Sequence, residues 1–161
     1  RITAKNRLTT ETVITTSGPI WVFSTGVPDL AIEAGSLVAE PAFVEQGDPF
    51  LVRWTETNPG SSTGDGHWSR VVASPDAEIT GSGNDIVLGE AWTNPIGPGT
   101  SVPQQIQADS SGLDLGSYTL AVLVDFYDHE KDESNENNIF TADKPLVIIE
   151  QNAVGNWHLF Q

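Results

Sequence analysis

The sequence predicts an all-β protein, and three observations carry that expectation. No stretch of a dozen residues places apolar side chains at i, i+3, i+4 and i+7, so no amphipathic helix is expected. Instead, apolar residues recur at every second position in short runs cut by Gly, Pro, Asn and Asp, the pattern of half-buried strands and turns. The segment Leu113-Asp114-Leu115-Gly116-Ser117-Tyr118 leads into the best of these runs. A loop-Gly-x-Tyr entry of this kind matches a tyrosine corner, in which the phenol bonds back to upstream backbone at a Greek-key crossing. Together they predict a Greek-key β-sandwich of about seven strands, with extension strands at its ends.

The elements follow in chain order. The Thr-rich segment Arg1–Gly26 holds two short strand candidates, Thr12–Thr15 and Ile20–Thr25. Pro28–Ala39 reads as a first strand with Leu30 and Ile32 in register. Phe50, Val52 and Trp54 share one face of the next strand, Arg53, Thr55 and Thr57 the other, and Asn58-Pro59-Gly60 ends it with turn chemistry. Gly66–Ser74 alternates again. Asp85–Trp92 and Ser101–Ala108 are weaker strands, with Pro103 at a strand start or a sheet edge. Tyr118, Leu120, Val122, Val124 and Phe126 form one face of the run expected at the centre of the sheet. Leu146–Ile149 is a fully apolar closing strand. This divides the chain into an N-terminal arm over 1–27, a sandwich over 28–149 and a C-terminal extension over 150–161.

The totals bound the function. A chain of 161 residues suits one domain with a real core. Seven Lys and Arg against 22 Asp and Glu give a net charge of −15. That charge repels a phosphate backbone and an anionic membrane surface, attracts divalent cations, and suits a salty medium. With no Cys there is no disulfide, no thiolate metal site and no Cys nucleophile. No run approaches the roughly 18 apolar residues of a membrane span. The sequence begins at Arg1 without Met and shows no signal peptide, so a processed or excised chain is expected.

Four pieces in order carry a resemblance: Pro28-Asp29-Leu30, the strand that ends in Asn58-Pro59-Gly60, Gly116-Ser117-Tyr118, and Glu133-Ser134-Asn135-Glu136-Asn137-Asn138. This order resembles CARDB domains, cell-adhesion-related modules of bacterial and archaeal surface proteins. The last motif is one residue shorter than the family pattern, and the likeness covers about residues 28–149. It implies an immunoglobulin-like fold and noncatalytic service in large extracellular proteins, and implies little about ligands.

The acidic stretch Asp128–Asn138 is the first candidate site. In an extended chain Asp128, Glu130 and Asp132 would share one side. Two carboxylates about 6 Å apart repel by about 0.7 kcal/mol in water and by more when desolvated, so such a set needs solvent, a cation or protonation. Calcium is the natural cation, with Asp128, Glu130, Asp132 and Asn135 as donors. The EF-hand template fails, because Glu133 stands where its Gly should be and Ile139 at its twelfth position. The competing reading is a solvated hairpin, with Asn135, Asn137 and Asn138 in Asx-type turns and Glu133 and Asn138 bonding exposed backbone. A surface hairpin offers no cleft for a glycosidase-type pair.

The other candidates are the histidines and tryptophans. His67, His129 and His158 form no HExxH or i,i+4 pair, and there is no GxSxG, which leaves a Ser-His-Asp triad open. The glycines of Gly81–Gly89 precede neither a helix nor a Lys, so they make no phosphate loop. Trp54 is expected in the core. Trp68 and Trp92 are candidates for stacking on sugars. Trp21, Trp157 and Phe160 are candidates for contact with a neighbour, reached by strand addition from either terminal segment. Two functions compete: a structural or adhesive module, spacer or fibre subunit whose partners are other copies or neighbouring modules, and a carbohydrate-binding accessory module of a secreted enzyme. A hydrolase would need a cleft holding His and Asp together.

Overall fold

The alternation that predicts strands also sets which side chains meet. The computed structural model describes residues 26–76, 78–130 and 137–151 in full, and the backbone of 3–6, 11–15 and 21–24. Strands β1 (Thr3–Asn6), β2 (Glu11–Thr15) and β3 (Trp21–Ser24) make an antiparallel sheet in that order. The sequence shows β2 and β3 and misses the polar β1. The single strand expected over Pro28–Ala39 is two, β4 (Ala31–Ile32) and β5 (Val38–Glu40). Between them the chain turns at Gly35, whose φ of +74° a side chain would strain. Both pieces pair antiparallel with β7 (Pro49–Asn58), and β10 (Thr100–Asp109) flanks β7 on its other side. Pro103 lies mid-strand in β10, at the edge of that sheet.

The second sheet runs β6 (Phe43–Glu45), β13 (Leu146–Ile149), β11 (Gly116–Leu123), β8 (His67–Ser74), β9 (Ile86–Thr93), with β12 (Ile139–Thr141) also on β11. β11 is therefore central, as its apolar rhythm predicts. Phe50, Val52 and Trp54 from the first sheet join Val71, Leu120 and Val122 from the second in one buried cluster. Burial of each such side chain contributes roughly 1.5–3 kcal/mol. The fold is an immunoglobulin-like β-sandwich.

Phe126 departs from its expected face. β11 ends at Leu123, and Asp125 takes a φ of +47°, which breaks the period of two. Val124 still points into the main core. Phe126 instead packs with Val72, Ala121 and Leu123 on the outer side of the sheet. The corner does form: the Tyr118 hydroxyl donates to the Asp114 carbonyl at 3.0 Å. Tyr118→Phe is expected to lower stability by about 1 kcal/mol, the net worth of one such bond, and a urea midpoint shifted at unchanged slope checks it.

Candidate functional site

The inward face of β7 does not stop being buried where it stops being apolar. Phe50, Val52 and Trp54 are followed on the same parity by Glu56 and Asn58, both fully buried. β8 behaves likewise, with His67 and Ser69 inward ahead of Val71 and Ala73. The two strands meet at one end of the sandwich, where Glu56 becomes the hub of a polar network. One carboxylate oxygen accepts from Trp54 Nε1 at 2.8 Å and from Ser69 Oγ at 2.6 Å. The other lies 3.0 Å from His67 Nε2, and His67 Nδ1 is 3.2 Å from the Asp65 carbonyl.

Burial alone would push the His67 imidazole down in pKa. The hydrogen bond and charge of Glu56, the Asp65 carbonyl and the charge of Asp125 outweigh it and raise the value above the ordinary 6.5. Burial would likewise raise Glu56, but the donors on His67, Ser69, Thr93 and Trp54 hold it below the ordinary 4.5. Glu56 and His67 thus form a buried ion pair with its lone pairs and protons used. Ser, His and an acid do come together here, but in the wrong order for nucleophilic catalysis. The serine hydroxyl donates to the acid rather than to the imidazole, and all three groups are sealed from substrate. The network holds β7 to β8 across the two layers.

Asn58 is a second buried polar hub. Its Oδ1 accepts from the backbone N–H of Asp29 and of Gly60, each at 3.0 Å. Its Nδ2 donates to the carbonyls of Ser62 and Ile96, each at 2.8 Å. One amide therefore ties the Pro-Asp-Leu segment, the turn after β7 and the loop before β10, which gives the Asn-Pro-Gly motif a physical reason.

The outward side chains of β8 and β9 make an exposed aromatic and charged face. Trp68 and Trp92 are cross-strand partners, 37% and 46% exposed, with ring centroids 5.5 Å apart and planes at 65°. On the next rung Arg70 clamps Glu90, with Nε and Nη2 at 2.8 and 2.6 Å from one oxygen. The Tyr127 hydroxyl joins that oxygen at 3.0 Å, and His129 stacks on the Tyr127 ring.

The acidic stretch is entered through a tight turn. Asp125 and Asp128 both have positive φ, and the Asp128 N–H bonds the Asp125 carbonyl at 2.8 Å. The Asp125 carboxylate takes the N–H groups of His129 and Glu130 at 3.0 and 2.7 Å. Glu130 reaches across to the Asp65 N–H. Asn137 donates to the Asp29 carboxylate at 2.9 Å. Among the described residues no group of three or more His, Asp or Glu could share a metal ion. Asp132, Asn135, Trp157, Phe160 and His158 lie outside the described residues, and Trp21 is described by its backbone alone.

No family model matches the sequence, and no curated protein does. Solved structures do. The CARDB domain of the PF1109 protein from Pyrococcus furiosus, solved in complex with di-metal ions, aligns with a TM-score of 0.57 at 16% identity, over 76% of this chain and 90% of that one. The chain has a CARDB-like fold. A domain of a Methanosarcina acetivorans protein, named in its description for the cell surface, aligns at 0.53 and 18% identity, over 81% of this chain and 99% of that one. A β-glucosidase from Erythrobacter marinus also aligns at 0.53, with 12% identity over 76% of this chain, but the match spans only 16% of the enzyme.

On this CARDB-like fold, sequence reading places Trp54 in the core and Trp68 and Trp92 outside, and it misses Glu56, His67, Ser69 and Asn58 as a buried set. A signal existed. The parity that buries Phe50, Val52 and Trp54 continues through Glu56 and Asn58, and a buried acid requires a partner.

Proposed function

We propose that the chain is a noncatalytic immunoglobulin-like module of a prokaryotic surface protein, a spacer or adhesive unit joined to neighbouring copies or modules through its terminal strands. One observation carries the reading. Among the described residues, an acid, a base and a hydroxyl that meet, Glu56, His67 and Ser69, are bonded to one another inside the core and serve to hold it. The likeness to CARDB domains, one of them in a protein named for the cell surface, supports an extracellular or surface setting. Among the described residues no helix is long and apolar enough to cross a membrane.

The small N-terminal sheet would make the joint. β1 and β3 are its edges, and an edge strand is a template for a strand from another chain. A head-to-tail contact of that kind, if it does not close, builds a filament. Sedimentation velocity on the full chain over a wide concentration range is expected to show reversible growth in mass. Val13→Pro in the middle strand, which removes a ladder donor, is expected to weaken it. A wild-type monomer at every concentration would remove strand addition and leave the spacer role.

The di-metal complex of the Pyrococcus domain invites a calcium reading of the acidic turn. Asp128 and Glu130 would be donors, together with Asp132 and Asn135 outside the described residues, and a melting temperature that chelator leaves unchanged would remove the reading.

A further inference from the structure

We propose that the outer face of β8 and β9 binds a neutral glycan chain, with Trp92 as its floor, Trp68 as its wall, and Glu90, Arg70 and Tyr127 as its polar contacts. The inference needs only that this face is open to solvent, so it stands or falls apart from the strand-addition reading.

The floor is fixed in place. Trp92 lies against the backbone of Gly66, where an added Cβ would come within 2.5 Å of the indole. The glycine lets the indole pack close against the chain, while Trp92 remains 46% exposed. A ring already held costs little entropy when a ligand stacks on it. Trp68 meets it at 65°, so the two rings make a corner rather than a flat shelf. A corner suits one pyranose, its C–H face on one ring and its edge on the other. Coplanar rings would be needed for the flat surface of a crystalline polysaccharide.

The polar contacts sit one rung away, about 7 Å along the strands at roughly 3.4 Å per residue. Arg70 is held between the Glu90 carboxylate and the Phe126 ring, whose centroid is 3.6 Å from its Cζ. The Arg70 and Tyr127 donors are spent largely within the rung, which fixes the Glu90 carboxylate as an acceptor, and a sugar hydroxyl can donate to its remaining lone pairs. Charge decides among polymers. The rung is locally neutral on a chain of net charge −15, which repels nucleic acid and uronate-rich glycans at range and leaves neutral glycans unopposed.

Isothermal titration of the full chain with cellohexaose, xylohexaose, mannohexaose and a chitin hexamer tests this. At least one is expected to bind with a dissociation constant of about 1 mM or tighter, in the range where a few aromatic contacts suffice. Trp92→Ala and Trp68→Ala are each expected to weaken binding at least tenfold, and Gly66→Ala to weaken it by displacing the ring. Val87→Ala, exposed elsewhere on β9, is expected to leave it unchanged. Should the tryptophan variants fail to fold, Glu90→Gln is expected to show the loss on a folded chain. No heat with any of the four, or binding that survives Trp92→Ala on a folded chain, would overturn the proposal. So would the absence of glycan binding together with loss of self-association in Trp92→Ala, which would make the face a protein contact.

Discussion

Glu56→Ala is expected to bring the sandwich close to unfolding. The substitution strips the acceptor from His67 Nε2, Trp54 Nε1 and Ser69 Oγ at once, in a place no water reaches. Breaking a buried pair by removing one partner costs about 3–5 kcal/mol, and each orphaned donor about 1–3 kcal/mol, although the two are not additive. A domain of this size has roughly 5–15 kcal/mol in all. Denaturant unfolding should show most of that gone. Glu56→Gln keeps the volume and one acceptor oxygen, so its loss should be smaller.

The same pair makes a signed prediction about pH. His67 has a raised folded pKa, so its contribution is complete below the ordinary 6.5 and fades as pH rises through the raised value. Glu56 has a lowered folded pKa, so its contribution is complete above the ordinary 4.5 and fades as pH falls through the lowered value. The pair therefore stabilises most between about 4.5 and 6.5. General self-repulsion of an acidic chain also falls with pH, so the comparison must be internal. The gap in unfolding free energy between wild type and Glu56→Gln/His67→Gln should be widest in that window and narrow on both sides.

Asn58→Ala has the second largest expected effect, about 3 kcal/mol or more. Its amide makes four bonds to backbone groups of three segments, and the two carbonyls and two N–H groups left behind are wholly or partly buried. Asn58→Asp separates the contributions. It keeps the acceptor toward Asp29 and Gly60 but turns a carboxylate oxygen toward the carbonyls of Ser62 and Ile96, so it should be nearly as destabilising at neutral pH and milder in acid. Thermal unfolding across pH checks both variants.

How much of this the sequence reveals depends on the physics at each place. β7, β8 and β11 are legible because a strand with one face in the core must alternate, and Tyr118 is legible because its corner is local. The split of β4 from β5 is hidden, since Glu-Ala-Gly-Ser breaks the strand without disturbing the apolar pattern around it. Phe126 misleads because one residue at positive φ reverses parity, and nothing about Asp125 in the sequence marks that. The buried network is half legible. Parity points Glu56 inward, but its partners His67 and Ser69 lie 11 and 13 residues away on another strand, and only the pairing of sheets joins them. Trp68 and Trp92 read as exposed candidates, yet their closeness depends on the β8–β9 register, which the irregular step at Val71 and Val72 conceals.

The account rests on Glu56, His67 and Ser69 being a sealed structural unit rather than an exposed reaction centre, and NMR titration of the histidine ring protons on the full chain tests that most directly. His67 is expected to keep its proton to a pH above the ordinary imidazole range, with a ring N–H that exchanges slowly with solvent. A His67 that titrates at the ordinary value, with rapid exchange and a response to Ser69→Ala like that of a serine-activating base, would contradict it.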